Sequence, residues 1–235
     1  QIVRSPGVFF TGDVDPITGR MLYMGEIRPI RGSWLEFFVT RNDIVSVRID
    51  RRRKFAATTL LRAFGIGSDE QISSFFSKIE KRERPFITNT IGRDPTKTRE
   101  EAILEIYRKM RPGEPAILEH AQELIFNMFL DGRRYDLGKV GRYKINKRVG
   151  LNLSNTSENW VLRPEDLIAT IAYLIVLQNG DGRIDDIDHL ANRRIRRVGE
   201  LVYQAAFRVG LLRMERGIRE KMILVSTEEE ATPMM

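Results

Sequence analysis

The hydrophobic pattern changes period near Asp50, and that change constrains the fold more than any other feature of the chain. From Val8 to Val47 the apolar residues come in short runs, within RSPGVFF, MLYMGEI, SWLEFFV and IVSVRI, rich in β-branched and aromatic side chains. Turn residues at Gly12–Gly19, Arg31-Gly32-Ser33 and Arg41-Asn42-Asp43 separate them. The pattern predicts four or five strands.

Beyond Asp50 the spacing is helical. Phe55 to Phe64 sets Leu60, Leu61 and Phe64 on one side of a helix, and Ser68 with Gln71 opens a second one through Ile72, Phe75 and Phe76. Lys81 to Lys97, with Pro85 and Pro95, reads as a linker. Thr98 and Glu101 form a capping-box pattern ahead of Ile103, Leu104, Ile106 and Tyr107, and Arg111-Pro112-Gly113 ends that helix. Pro115 begins another, through Ile125, Met128 and Phe129, stopped by Asp131-Gly132. Arg133 to Asn159 reads as loop with a short helical piece at Leu137 to Tyr143, and Pro164 starts a strongly apolar helix to Leu177. From Asp186 to Leu224 the spacing is again helical, with Gly199, Gly210 and Gly217 as breaks or close-packing points. Strands first and helices after define an α+β class, a β-rich N-terminal part followed by a mainly helical lobe and C-terminal helices.

Composition then excludes whole chemistries. The 235 residues contain no cysteine and two histidines, His120 and His189, which removes disulfide frameworks, thiolate metal sites and thiol nucleophiles, and points to a cytosolic, cytoplasmic compartment. No Gly-x-Ser-x-Gly and no phosphate-cradling Gly-x-x-x-x-Gly-Lys occurs. The longest apolar stretch, Leu167 to Leu177, has helix-core length and not the roughly 18 residues of a membrane span. The chain begins at Gln1 with neither methionine nor signal pattern and ends in TEEEATPMM without closing an element, so it reads as a piece of something larger.

The net charge is +7, carried by 30 arginines against 9 lysines. Arginine suits planar, multi-donor contacts to phosphate or base edges, so a polyanion is a natural partner. An arginine-rich source composition gives the same bias. The densest run, Arg51, Arg52, Arg53 and Lys54, reads as a solvated face or as phosphate contacts, and alternating strand positions cannot all point one way. Arg193, Arg194, Arg196 and Arg197 raise the same question on an expected helix, where Arg193 and Arg197 share a face. Asn179, Asp181, Gly182, Ile184 and Asp188 imitate a calcium loop, but its first position is Leu177, which carries no side-chain oxygen. His189 beside Asp185, Asp186 and Asp188 reads as a capping residue before a metal ligand. By itself Trp34 reads as a core tryptophan, and Asp188 as an N-cap or an arginine partner.

Seven strings carry a resemblance. RSPGVFF (4–10), RGSWLEF (31–37), VRIDRRRK (47–54), EIYRKMRPGEP (105–115), RRYDLGKVGRYKIN (133–146), DDIDHLANRRIR (185–196) and FRVGLLRMERGIREKM (207–222) stand in the order found in the β subunit of bacterial multisubunit RNA polymerase. The chain resembles that second-largest subunit over essentially its whole length. Three departures stand out: Ala191 replaces the usual glycine, the stretch from Glu200 to Phe207 is one residue longer, and the connection from Asn146 to Pro164 is short.

The resemblance implies that residues 1–190 form the lobe (β2) domain and that 191–235 return to the protrusion (β1) domain. It implies a segment of a nucleotidyltransferase without catalytic activity of its own, the catalytic Mg2+ belonging to the β′ subunit and no cofactor to this piece. The lobe is expected to clamp downstream DNA and contact the unpaired non-template strand. Its base pocket would use Arg4, Ile187, Asp188 and Arg193, with Trp34 as the stacking surface. The expected partners are DNA, the β′, α and ω subunits and a σ factor. The alternative is a protein-interaction surface for a σ factor, an elongation factor or a phage regulator.

Overall fold

The computed structural model describes residues 1–82 and 85–224, so the terminal TEEEATPMM lies outside the described residues. Two compact units result, one of Ser5–Asn192 and one of Gln1–Arg4 together with the described residues from Arg193 onward. β1 (Ile2–Arg4) belongs to the smaller unit. In the larger, β2 (Gly7–Val14), β3 (Met21–Arg28), β4 (Leu35–Val39), β5 (Val45–Ile49) and β6 (Phe55–Ala56) form an antiparallel sheet in sequence order.

Register and alternation give this sheet two unlike faces. Val8, Ile27, Leu35 and Ile49 align across one face, followed by Phe10, Gly25, Phe37 and Val47, and all of these apolar side chains are buried. The opposite face aligns Phe9, Glu26, Glu36 and Arg48.

The helices of this unit are α1 (Ala57–Ala63), α2 (Asp69–Phe76), α3 (Phe86–Arg93), α4 (Arg99–Met110), α5 (Leu118–Ile125), α6 (Gly138–Val149) and α7 (Pro164–Gln178). α5 runs on into a π-helical turn, Phe126–Leu130. α7 covers the apolar sheet face: its Tyr173 ring lies 4.5 Å from Phe10, and a Cβ at Gly25 would meet Phe10 at 2.8 Å and Thr170 at 3.4 Å. The local start signals act as expected. Thr98 and Glu101 exchange both capping-box hydrogen bonds, Ser68 accepts from the Gln71 amide, and Pro164 occupies the first turn of α7.

Four expectations are corrected. The stretch read as a linker, Lys81 to Lys97, contains α3, with Phe86 and Ile87 buried and the Thr90 hydroxyl accepting from Val45 N of β5. Eight residues show too little periodicity to reveal a helix. The helix expected from Phe55 starts at Ala57, because Phe55 and Ala56 pair with β5. Where loop with a short helical piece was expected, α6 has 12 residues. Its buried side includes Arg142, held by Asp166 from α7, so hydrophobic spacing alone does not mark it.

The fourth correction concerns Asp186 to Leu224, which is not one helical run. A 3-10 turn at Leu190–Asn192 leads into β7 (Arg193–Ile195), then α8 (Val198–Val202), a π-helical turn at Tyr203–Arg208 and α9 (Val209–Leu224). β7 pairs antiparallel with β1, nearly the whole chain away in sequence, and such pairing leaves no local signature. The stretch that reads one residue long, Glu200 to Phe207, holds the π-helical turn, which accommodates an extra residue within a continuous helix. In this smaller unit Gln1 O accepts from Arg196 N and Glu200 binds Arg194 and Arg196. Among the described residues no helix is long and apolar enough to cross a membrane.

Candidate nucleic-acid interface

Trp34 precedes β4 on the polar side of the sheet, because its neighbour Leu35 points into the core and alternation turns the indole outward. It is half-buried, neither a core tryptophan nor a free one. The Arg28 guanidinium lies 4.2 Å from the ring centroid and that of Arg51 lies 5.6 Å away. Arg28 is itself oriented by Glu26 at 2.7 Å. Planar cations over an indole make a stacking platform with positive charge beside it, which suits a base joined to phosphate.

The backbone around the indole is fixed by a tight turn. Trp34 N donates to Asp50 Oδ1 at 2.8 Å and Asp50 N donates to Trp34 O at 3.0 Å. Asp50 and Arg51 both have positive φ, 47° and 59°, and Arg52 N closes on Ile49 O. Two left-handed residues in succession match the right-handed twist of a hairpin, at a steric cost for the non-glycine Arg51.

That turn divides the basic run. Arg51 goes to the Trp34 ring and lies 3.8 Å from Glu36, while the Arg52 guanidinium bonds the Met110 carbonyl at the end of α4. Arg53 and Lys54 are exposed. The four cations therefore do not form one phosphate-facing row.

Ile187 and Asp188 lie on an arch between α7 and the end of the larger unit. Asp188 is exposed and Ile187 half-buried. Asp188 N donates to Asp186 Oδ1, Ala191 N to His189 Nδ1, and Asn192 Nδ2 to Asp186 O at 2.7 Å, so the arch is closed at its neck by its own polar groups. Among the described residues no group of three or more His, Asp or Glu side chains is gathered closely enough to hold a metal ion. The calcium-like spacing disperses: Asn179 donates to Ile79 O, and Asp181 pairs with Lys81.

Arg4 and Arg193 are brought together as register partners of β1 and β7 in the smaller unit, so Arg193 stands on a strand, not on the helix expected for it. The expected shared helical face of Arg193 and Arg197 does not exist. Arg194 and Arg196 are engaged by Glu200.

Sequence reading missed a cleft of about 780 Å³ in the larger unit that borders the Trp34 corner through Gly32, Ser33 and Asp50. Its lining also includes Tyr107, Arg111 and Glu114, where one Glu114 oxygen accepts from Tyr107 at 2.9 Å and Arg111 at 3.1 Å. Arg111 and Tyr107 hold the Glu114 carboxyl below its usual range, and the same hydrogen bond pushes the Tyr107 phenol up. The Arg111-Pro112-Gly113 turn was its one local sign.

A strand-first unit whose sheet is covered by helices, with the arginine-flanked Trp34 on its polar side, belongs to the family described as RNA polymerase Rpb2, domain 2, which matches residues 4–196. The chain is a member of that family. Among its relatives, the proteins named DNA-directed RNA polymerase subunit beta from two strains of Dehalococcoides mccartyi are each 49% identical over 230 residues, covering 97% of this chain and 18% of theirs. The protein of the same name from Trichodesmium erythraeum is 48% identical over 233 residues, 99% of this chain and 20% of its own. The chain thus spans about a fifth of the length of the curated relatives it matches.

Proposed function

We propose that this chain is the lobe segment of a DNA-directed RNA polymerase β subunit, with the residues from 191 onward returning to the protrusion. Its role is to hold downstream DNA and to contact an unpaired base of the non-template strand in a cytoplasmic enzyme. The observation that carries the reading is the half-buried Trp34 indole with Arg28 and Arg51 beside it, in a chain belonging to this polymerase family. Trp34 serves as the stacking surface, Asp188 accepts from a guanine's N–H groups, Ile187 lends apolar contact, and Arg4 and Arg193 hold phosphate or a base acceptor. Arg53 and Lys54 add phosphate contacts at the surface. Catalysis and its Mg2+ belong to the β′ partner, and the α, ω and σ subunits complete the assembly.

The test is fluorescence anisotropy of forked DNA, with guanine or adenine at the unpaired position, bound to polymerase that carries this segment. Guanine-favouring binding that Trp34→Ala with Asp188→Ala abolishes is expected. Binding indifferent to both the base and the substitutions would overturn the base-reading role.

A protein-interaction surface has one observation in its favour. Leu211, Met214, Ile218 and Met222 recur along one face of α9 and are exposed. A partner held there by apolar contacts keeps its affinity as salt rises, whereas DNA held by counterion release does not.

A further inference from the structure

We infer that Lys144 and Arg148, one turn apart on α6, are positioning residues that clamp the two ends of the Asp186–Leu190 arch and so preset Ile187 and Asp188. The inference rests on the base-reading role proposed for those two residues.

The arch is solvent-exposed at Asp186, Asp188 and His189, and Leu190 is 84% exposed. Burial cannot order such a segment, so hydrogen bonds at its ends must. Positions four apart on a helix lie on one face, which lets two side chains of α6 reach both ends.

At the entry, Arg148 Nε bonds both oxygens of Asp185, at 2.8 and 3.0 Å, and Arg148 Nη2 donates to Arg183 O at 2.5 Å. Its guanidinium lies 4.3 Å from the Tyr173 ring centroid. Asp185 is at the same time locked to β2, its amide donating to Phe10 O and its carboxylate accepting from Phe10 N. At the exit, Lys144 Nζ donates to Ala191 O at 2.7 Å and to Ser5 Oγ at 2.6 Å, and lies 3.4 Å from Asn192 Oδ1. Ser5 N donates to Asn192 O, and Asn192 Nδ2 returns to Asp186 O, so the residue that closes the neck is the one Lys144 braces.

Two further observations fit. Gly7 allows α6 to come close enough, since a Cβ there would stand 3.0 Å from Lys144 Cβ. Burial also pushes the Lys144 ammonium below its ordinary pKa, as expected of a cation partly withdrawn from water, with the Asp185 charge opposing the shift.

The experiment is hydrogen–deuterium exchange across residues 183–192 in the assembled polymerase, for the parent protein, Lys144→Met, Lys144→Arg and Arg148→Gln, combined with the guanine-over-adenine comparison on forked DNA. Exchange in α7 serves as the internal check of folding. Expected are at least tenfold faster exchange in the arch and a lost guanine preference in Lys144→Met and Arg148→Gln, with Lys144→Arg rescuing both. Unchanged arch protection in those two variants overturns the inference, as does a guanine preference that survives a loosened arch. A parent protein without any base preference sinks the base-reading proposal instead, and faster arch exchange then still supports the clamp.

Discussion

Arg142 and Asp166 meet as a bidentate pair, Nη1–Oδ1 at 2.5 Å and Nη2–Oδ2 at 2.9 Å, with neither side chain exposed to solvent. The remaining guanidinium donors reach the carbonyls of Asn159 and Val161, and Asp166 also accepts from Arg163 N. One pair thus joins α6, α7 and the connection between them. Removing one partner strands a buried charge, so Arg142→Ala or Asp166→Ala is expected to cost about 3–5 kcal/mol. Chemical denaturation read by circular dichroism checks it, and a loss below about 1 kcal/mol would contradict the pair's structural role.

The divided basic run predicts different consequences from neighbouring arginines. Arg53→Ala and Lys54→Ala should each lower the slope of log affinity against log salt for DNA by about one, and leave stability unchanged. Arg52→Ala should do the opposite, because its guanidinium bonds the Met110 carbonyl at the end of α4. A salt series of DNA-binding titrations, paired with thermal melts, separates the two behaviours.

Gly32 has φ of +126°, and a Cβ there would sit 2.7 Å from Cδ2 of Tyr135, a fully buried ring. Both the backbone and the space therefore demand glycine. Gly32→Ala is expected to destabilise the larger unit by about 1–3 kcal/mol. It should also weaken stacking at Trp34, two residues on. Melting temperature and tryptophan emission measured on the same sample test both effects.

Acid should unfold the larger unit through a small set of carboxylates. Hydrogen bonds from Arg62 and then Lys97 hold Asp69 below 3.8, and the amides of Lys97 and Thr98 hold Glu101 below 4.5. Asp15, through Thr18, and Glu114, through Arg111, are lowered as well. With folded values below the unfolded ones, the unfolded chain takes up protons first as pH falls. The stabilisation is complete above about pH 5 and fades as pH drops through 4.5 and 3.8 toward the folded values. Glu80, raised by burial, works in the opposite direction. Denaturant midpoints should therefore be level from pH 7 to about 5 and fall below that. Asp69→Asn should flatten the fall, and an unchanged profile in that variant would count against Asp69.

What the sequence by itself determined was whatever is written within one turn or one strand. The period change at Asp50, the Thr98–Glu101 box and Pro164 at the head of α7 are local, and each follows from geometry repeating over two to four residues. The seven ordered strings also carried the family, since identity of residues needs no folding. Tertiary structure alone decided α3, the full length of α6, the strand at Arg193 and the division of the basic run. In each of these the deciding partner is remote in sequence: Val45 for Thr90, Asp166 for Arg142, Arg4 for Arg193 and Met110 for Arg52. The same holds for the arch, whose ends are bonded by Lys144 and Arg148 of α6. A polar or charged side chain has no periodicity of its own, and its position is set by the group that neutralises or accepts it, which only the folded chain brings near.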